Sequence, residues 1–317
     1  MRTRSLGTSS LTVSVIGLGC NNFGRPGTLT EQQEGTTAVV HAALDNGVTF
    51  FDTADIYGKE FGLSERMLGE ALRGRRDEAI IATKFGHQPM APDFGGAPKG
   101  SRAYIRTAVE QSLTRLGIET IDLYQQHTPD PATPIEETLA ALNELVAEGK
   151  VREIGCSNVH VAQLADAATQ AERLGTARFV SVQNEYNLLS RQAEDVLAAA
   201  EASGIGFLPF FPLANGLFTG KFTRTERPAD TRIMRQRPNV AEDAPWDAME
   251  AYAAFCDARG ISMLEATMGW FLSHPGISSV IAGATRPDQV TQNAAAGAGW
   301  VPDAADRARI DALFPAG

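Results

Sequence analysis

Short apolar runs rich in β-branched residues recur along the chain. Each is closed by a polar turn and followed by a stretch whose apolar residues return every three to four positions. The first kind of run reads as a buried strand, the second as an amphipathic helix. Strands read this way end near Gly19, Asp52, Lys84, His127, Asn158, Gln183, Phe210 and Gly283. Most successive ends lie about 30 residues apart, the length of one βα unit. Eight such units favour an α/β fold closed into a (β/α)8 TIM barrel over an open sheet.

The helical stretches carry their own start and stop signals. Thr133, Pro134 and Glu136 read as a capping box with proline at the first helical position. Ile135, Leu139, Leu142, Leu145 and Val146 then share one face, and Gly149 ends the run. Ser101 opens another helix, with Ile105, Val109, Leu113 and Leu116 in register and Gly117 at its end; Ser64 to Leu72 repeats the pattern. Two long stretches break the rhythm, Gly86 to Gly100 and Pro212 to Trp246. Insertions of that length in a compact chain read as lids or binding loops at the barrel mouth. A further helix follows Gly283, and a last one covers Asp303 to Leu313. The expectation is a single domain over residues 1–317.

Composition narrows the function classes. Lys and Arg total 28 against 38 Asp and Glu, a net charge of −10, which repels phosphate backbones and argues against nucleic acid as the partner. The most apolar region, Val196 to Phe218, is interrupted by Glu201, Pro209 and Pro212, so no membrane span is expected. The basic N-terminus has no apolar run behind it, as a secretory signal would. Cys20, Cys156 and Cys256 are too few and too scattered for a disulfide framework or a zinc site. A cytoplasmic setting and no metal are the expectations.

Functional residues of such barrels sit at the C-terminal ends of the strands. Here those ends carry Asp52, Lys84, His127, Ser157, Asn158 and Gln183, with Tyr57 in the loop that starts beside Asp52. Singly, Asp52 and Lys84 read equally as a structural ion pair and His127 as a hydrogen-bonded core histidine. Together they describe acid–base chemistry with a phenol. A tyrosine titrates near ~10; a lysine cation beside it is expected to lower that value, and Asp52 to hold the lysine charged. A neutral His127 can donate to a carbonyl oxygen near Tyr57. The set polarises a carbonyl and hands it a proton, but supplies no electrons, so a reduction needs a hydride donor.

The motifs FFDTADIYG (Phe50 to Gly58), IIATKFG (Ile80 to Gly86), DLYQQH (Asp122 to His127), GCSN (Gly155 to Asn158), VQNEYN (Val182 to Asn187) and PLANGLFTGKF (Pro212 to Phe222) occur in order. In this the chain resembles the aldo-keto reductase family, above all its prokaryotic members related to potassium-channel β subunits. The resemblance implies a barrel with an N-terminal hairpin and extra C-terminal helices. It also implies a catalytic tetrad of Asp52, Tyr57, Lys84 and His127, with Tyr57 as general acid in reduction. A nicotinamide coenzyme would lie across the mouth, touching Gly19, Cys20, Asn21 and Asp52. Ser157, Asn158 and Gln183 would hold its carboxamide. Phe210 falls where the family has an aromatic ring on the nicotinamide, and Phe211 replaces the usual serine, with Leu213 following. Lys221 and Arg232 would meet the phosphates. In GATRPDQVTQN, the residues Gly283, Thr285, Arg286, Gln289, Gln292 and Asn293 would form the adenosine end. Arg286 suits a 2′-phosphate, which favours NADPH over NADH. The substrate, a small carbonyl compound or alcohol, would face Tyr57 and His127 across an apolar rim of Phe23, Tyr57, Phe85 and Phe211.

Other readings compete. Gly17, Gly19 and Asn22 mimic a dinucleotide fingerprint, but the third glycine is missing and Pro26 follows where a helix should start. Lys84 could form a Schiff base as in class I aldolases, although an aspartate partner would keep it protonated. A nicotinamide-binding regulatory subunit with little turnover is the non-enzymatic alternative. His41 and His274 read as structural and His160 as the start of a helix, while for His87, in the loop after Lys84, a place beside the substrate is the less favoured reading.

Overall fold

The computed structural model describes residues 1–229, 231, 233–234 and 237–316. An antiparallel hairpin, β1 (Thr3–Ser5) and β2 (Thr12–Ser14), precedes the sheet. The strands β3 (Ile16–Gly19), β4 (Phe50–Asp52), β5 (Ile80–Phe85), β6 (Ile121–Gln126), β7 (Val151–Ser157), β8 (Phe179–Glu185), β9 (Gly206–Phe210) and β10 (Val280–Gly283) then follow. Among the described residues these eight pair in parallel and in sequence order, and β10 closes the barrel by pairing with both β9 and β3. Between them run α1 (Gln33–Asp45), α2 (Leu63–Ala71), α3 (Arg102–Leu116), α4 (Ile135–Ala147), α5 (Val161–Leu174) and α6 (Glu194–Ala202). The (β/α)8 expectation holds, with every strand end within two residues of its expected place.

The apolar residues divide into two clusters, and the division follows the period of two along each strand. Phe50, Ala82, Leu123, Leu208 and Ile281 pack together inside the barrel, closed at the bottom by Leu6, Leu11 and Val13 of the hairpin. Their sequence neighbours Phe51, Ile81, Tyr124, Phe207 and Ala282 belong to the larger cluster between barrel and helices. Arg4 fastens the hairpin by donating to the carbonyls of Leu272, His274 and Ile277. One step above the inner apolar layer, the same period places Asp52, Lys84, Gln125 and Gln183 on the inner face. The barrel is therefore apolar at its base and polar at its mouth.

The helix signals were mostly correct. Ser101 caps α3 by accepting from the Tyr104 amide, and Gly117 ends it in the left-handed region at φ 66°. His160 caps α5 in a reciprocal box with Gln163. The expected box at Thr133 is not formed: α4 starts at Ile135 without a side-chain cap. Asp130 is the reason, since its carboxylate accepts from the Thr133 hydroxyl at 2.8 Å. The long segments after β5 and β9 lie at the mouth, as expected, and the C-terminal part includes the helices Pro238–Glu242, Trp246–Asp257, Met263–Leu272, Pro287–Ala298 and Ala304–Leu313. Among the described residues no helix is long and apolar enough to cross a membrane. All three cysteines are buried and unpaired.

Gly69 is where α2 touches α3, and a Cβ there would lie 2.2 Å from the Leu116 carbonyl oxygen. Alanine is ordinarily the better helix former by about 1 kcal/mol. Here Gly69→Ala is expected to destabilise the fold by about 1–3 kcal/mol instead, read as a lower urea midpoint. An unchanged or raised midpoint would mean that the two helices part without cost.

Candidate active site

Lys84 lies at the centre of the mouth with no solvent exposure. Its Nζ donates to Asp52 Oδ1 and Oδ2, both at 2.7 Å, and to the Thr53 carbonyl at 2.9 Å. Asp52 Oδ1 also accepts from Gln183 Nε2 at 2.9 Å and Gln125 Nε2 at 3.3 Å. A buried ion pair survives only when hydrogen bonds replace the lost water on both partners, and here they do. Burial works against the lysine charge, but the Asp52 carboxylate and the Tyr57 phenol outweigh it and lift the ammonium above its usual range. A lysine so firmly protonated is no nucleophile, which removes the support for a Schiff base.

Tyr57 is carried by a tight segment after β4. Its amide donates to the Ala54 carbonyl at 3.2 Å and its own carbonyl accepts from Ser64 at 3.1 Å. Lys84 Nζ stands 5.2 Å from the ring centre. The expected lowering of the phenol is not the net result: burial dominates and pushes it up, aided by Asp52, while Lys84 and the Asn21 side chain oppose it only in part. Tyr57 thus keeps its proton across neutral pH. His127 meets it edge to face, with ring centres 5.9 Å apart. Burial first, then Lys84 and His87, push the imidazole well below its usual range, so His127 is neutral. Its amide donates to the Phe85 carbonyl at 2.8 Å, which ties it to the lysine strand. The four residues of the expected tetrad come together.

Around them, Ser157 Oγ donates to the Gln183 carbonyl at 2.6 Å. Asn158 Nδ2 donates to the His127 carbonyl at 2.9 Å and to Ser157 Oγ at 3.0 Å. With these nitrogens committed, Asn158 and Gln183 have their amide oxygens to offer a ligand. Phe210 and Phe211 are half-buried and meet at 5.1 Å, edge to face. Phe211, Ala214 and Asn215 all have positive φ, a strained run of the kind that clusters at ligand sites. Leu213 is part of that turn. At the end of β10, Gly283 pairs with Gly19, and a Cβ at 283 would come within 3.3 Å of Asn22 Nδ2. Beyond it, Gln289 Oε1 accepts from the Thr285 amide at 2.8 Å. Arg286 pairs with Asp288. Asn293 is buried, Gln292 and Lys221 are exposed, and Arg232 lies outside the described residues.

The model of the aldo/keto reductase family matches residues 15–314. The chain belongs to that family. It is 32% identical over 307 residues to an L-glyceraldehyde 3-phosphate reductase of Escherichia coli strain K12, covering 92% of this chain and 86% of the relative. It is 32% identical to a probable voltage-gated potassium channel subunit beta of Oryza sativa, over 92% of this chain and 90% of the relative. An uncharacterized oxidoreductase of Bacillus subtilis is 33% identical over 295 residues. This aldo/keto reductase is thus a member of a carbonyl-reducing oxidoreductase family whose members generally use nicotinamide coenzymes.

Three expectations need correction. Phe85 follows Lys84 by one residue and therefore points out of the barrel, where it is fully buried against Tyr124 at 4.8 Å. Phe23 is fully buried in the same outer layer. Neither forms an open rim; Phe210 and Phe211 are the half-buried aromatics of the mouth. Cys20 is also fully buried, its thiol 3.5 Å from the Leu18 carbonyl, which leaves only its backbone to a ligand. Conversely, Gln125 joins Asp52 without having been singled out. Counting back two from His127 along the strand would have found it. Arg237, whose guanidinium lies 5.7 Å from the Phe211 ring centre, had no sequence signal because the long loop brings it there. His87, for which a place beside the substrate was the less favoured reading, stands 4.6 Å from the His127 ring.

Asp55, two residues before Tyr57, faces the outer layer, and both its carboxylate oxygens are buried without a hydrogen-bond partner. Glu65 beside it is held by Thr83 and Arg115, each at 2.6 Å. Burial, then the Glu65 charge, push the Asp55 carboxyl up to about 8.

Two outcomes follow from these charges. Lys84→Met strands a buried carboxylate and is expected to cost about 3–5 kcal/mol in urea unfolding, much of it regained in Asp52→Asn/Lys84→Met. Equal losses in both variants would mean the pair is not what holds the mouth. For Asp55, the folded carboxyl titrates at about 8 and the ordinary one at 3.8. The native chain therefore keeps an extra proton between those values and loses stability as pH rises through them. The thermal midpoint of Asp55→Asn is expected to gain on the parent across that window and to level off above it. Parallel pH curves for the two proteins would show that Asp55 is ionised in the fold.

Proposed function

We propose that this protein is an NADPH-dependent reductase of a small aldehyde or ketone, with Tyr57 as the proton donor. The observation that carries the reading is the buried cluster in which a protonated phenol and a neutral imidazole face the same space beside a charged lysine. The donor set also suits the coenzyme. Asn158 and Gln183 have amide oxygens for a carboxamide, Phe210 offers a ring for stacking, and the Gly19–Gly283 pair leaves room for a close backbone approach. Asp52 would serve the adjoining ribose, Lys221 and Arg286 the phosphates, and Thr285, Gln289, Gln292 and Asn293 the adenosine. When bound, the coenzyme supplies the hydride.

The chain's own residues do the rest. His127 Nε2 donates to the substrate carbonyl oxygen and holds it toward Tyr57. As negative charge grows on that oxygen, the Tyr57 hydroxyl passes its proton to it. Lys84 stabilises the phenolate left behind, and Asp52 keeps Lys84 charged and aimed. In the reverse direction the phenolate takes the proton back. The buried, unpaired cysteines suit a reducing cytoplasm.

The channel-subunit relatives favour a second reading, a nicotinamide-binding regulatory protein with little turnover. NADPH oxidation followed by absorbance separates the two, against a panel of aromatic and aliphatic aldehydes, ketones, sugars and glyceraldehyde 3-phosphate. Turnover of a panel member is expected, falling at least about 100-fold in Tyr57→Phe, with coenzyme affinity unchanged because only the proton donor is lost. Undiminished turnover in that variant would remove Tyr57 from the role of acid. Tight binding with no turnover on any panel member would favour the regulatory reading.

A further inference from the structure

Arg286 precedes the helix Pro287–Ala298, and Asp288 lies in its first turn. The guanidinium of Arg286 engages the Asp288 carboxylate in a two-pronged pair, Nε to Oδ1 at 3.0 Å and Nη2 to Oδ2 at 3.1 Å. Hydrogen bonding to Arg286 is the largest reason the Asp288 carboxyl sits below its usual range, and Lys221, from the long loop after β9, adds to it. The carboxylate thus lies in the field of the two cations that the proposed coenzyme site assigns to phosphates. Both partners are about half exposed, 47% and 53%, so the pair is open to an arriving anion.

A phosphate monoester and a carboxylate make the same forked contact with a guanidinium, and one fork does not serve both in full. We infer that Asp288 narrows the coenzyme selectivity of this protein, acting as a built-in occupant of the Arg286 fork that a 2′-phosphate must displace. The inference rests on the reading of Arg286 given under the proposed function and deepens it. Asp288 narrows the preference for NADPH in two ways. It holds the cation the 2′-phosphate needs, and it adds a like charge next to that phosphate. NADH meets neither obstacle, and its free 2′-hydroxyl can donate to the carboxylate. The pair is solvent-screened, so the effect is moderate, about three- to tenfold in relative affinity.

The test is direct binding to the full-length chain, without turnover. Dissociation constants for NADPH, NADH and 2′,5′-ADP are measured by calorimetry for the parent, Asp288→Asn, Asp288→Glu, Arg286→Ala and the Asp288→Asn/Arg286→Ala pair. Asp288→Asn is expected to tighten NADPH and 2′,5′-ADP about three- to tenfold with NADH unchanged or weaker. Asp288→Glu keeps the charge and is expected to keep the parent's ratio. The gain should vanish when Arg286 is also removed. If Arg286→Ala shifts the NADPH-to-NADH ratio but Asp288→Asn does not, the inference is wrong while the reading of Arg286 stands. If Arg286→Ala leaves the ratio untouched, that reading fails and the inference with it.

Discussion

An ammonium group cut off from water demands a counter-charge, and Lys84, with no exposure at all, meets that demand through both oxygens of Asp52. Much of the mouth is arranged around that pair. Gln125 and Gln183 donate to the carboxylate from the far side, and Ser157 and Asn158 brace Gln183 and His127 in turn. The same positive charge helps push the neighbouring imidazole to its neutral form. It also offsets part of the burial that keeps the phenol protonated. Burial is the larger cause of both protonation states, and the ion pair modulates them, reinforcing the neutral imidazole and opposing the protonated phenol.

The barrel makes this possible by separating chemistry from packing on alternate residues. Ala82 and Lys84 point inward, Ile81 and Phe85 outward; Leu123 and Gln125 point inward, Tyr124 outward. The inner row runs from apolar residues above the hairpin plug to charged and amide groups at the open end. The outer row gives the helices a continuous apolar surface. Asp55 is the exception, an acidic group turned to the outer layer without partners for its carboxylate. Its position, between the Lys84 strand and the Tyr57 segment, marks where packing and chemistry share one stretch of chain.

The opposite end of the mouth works by different electrostatics. There Arg286, Asp288 and Lys221 lie in water, where each contact is weak and exchangeable. A buried pair fixes geometry; an exposed one can be traded for a ligand. The buried Lys84 cluster and the exposed Arg286 pair thus use the same residue types to opposite effect, because their dielectric surroundings differ.

The sequence alone determined the architecture and the chemical inventory. A period of two in the strands and of 3.6 in the helices is written into residue order, so the βα rhythm, the strand ends and the inward Asp52 and Lys84 were legible. The start of α3 at Ser101 and its stop at Gly117 are local too, needing only their neighbours. The tertiary structure decided what depends on distance and burial. Phe23 and Phe85 read as rim residues but are core, because only packing tells a buried aromatic from an exposed one. The Tyr57 phenol rises where a lysine alone would lower it, because desolvation has no signature in residue order. Thr133 loses its cap to Asp130, and Arg237 reaches Phe211 across a long loop. Local order encodes which groups the chain can bring to the mouth; the dielectric and the partners each finds there exist only once the barrel has closed.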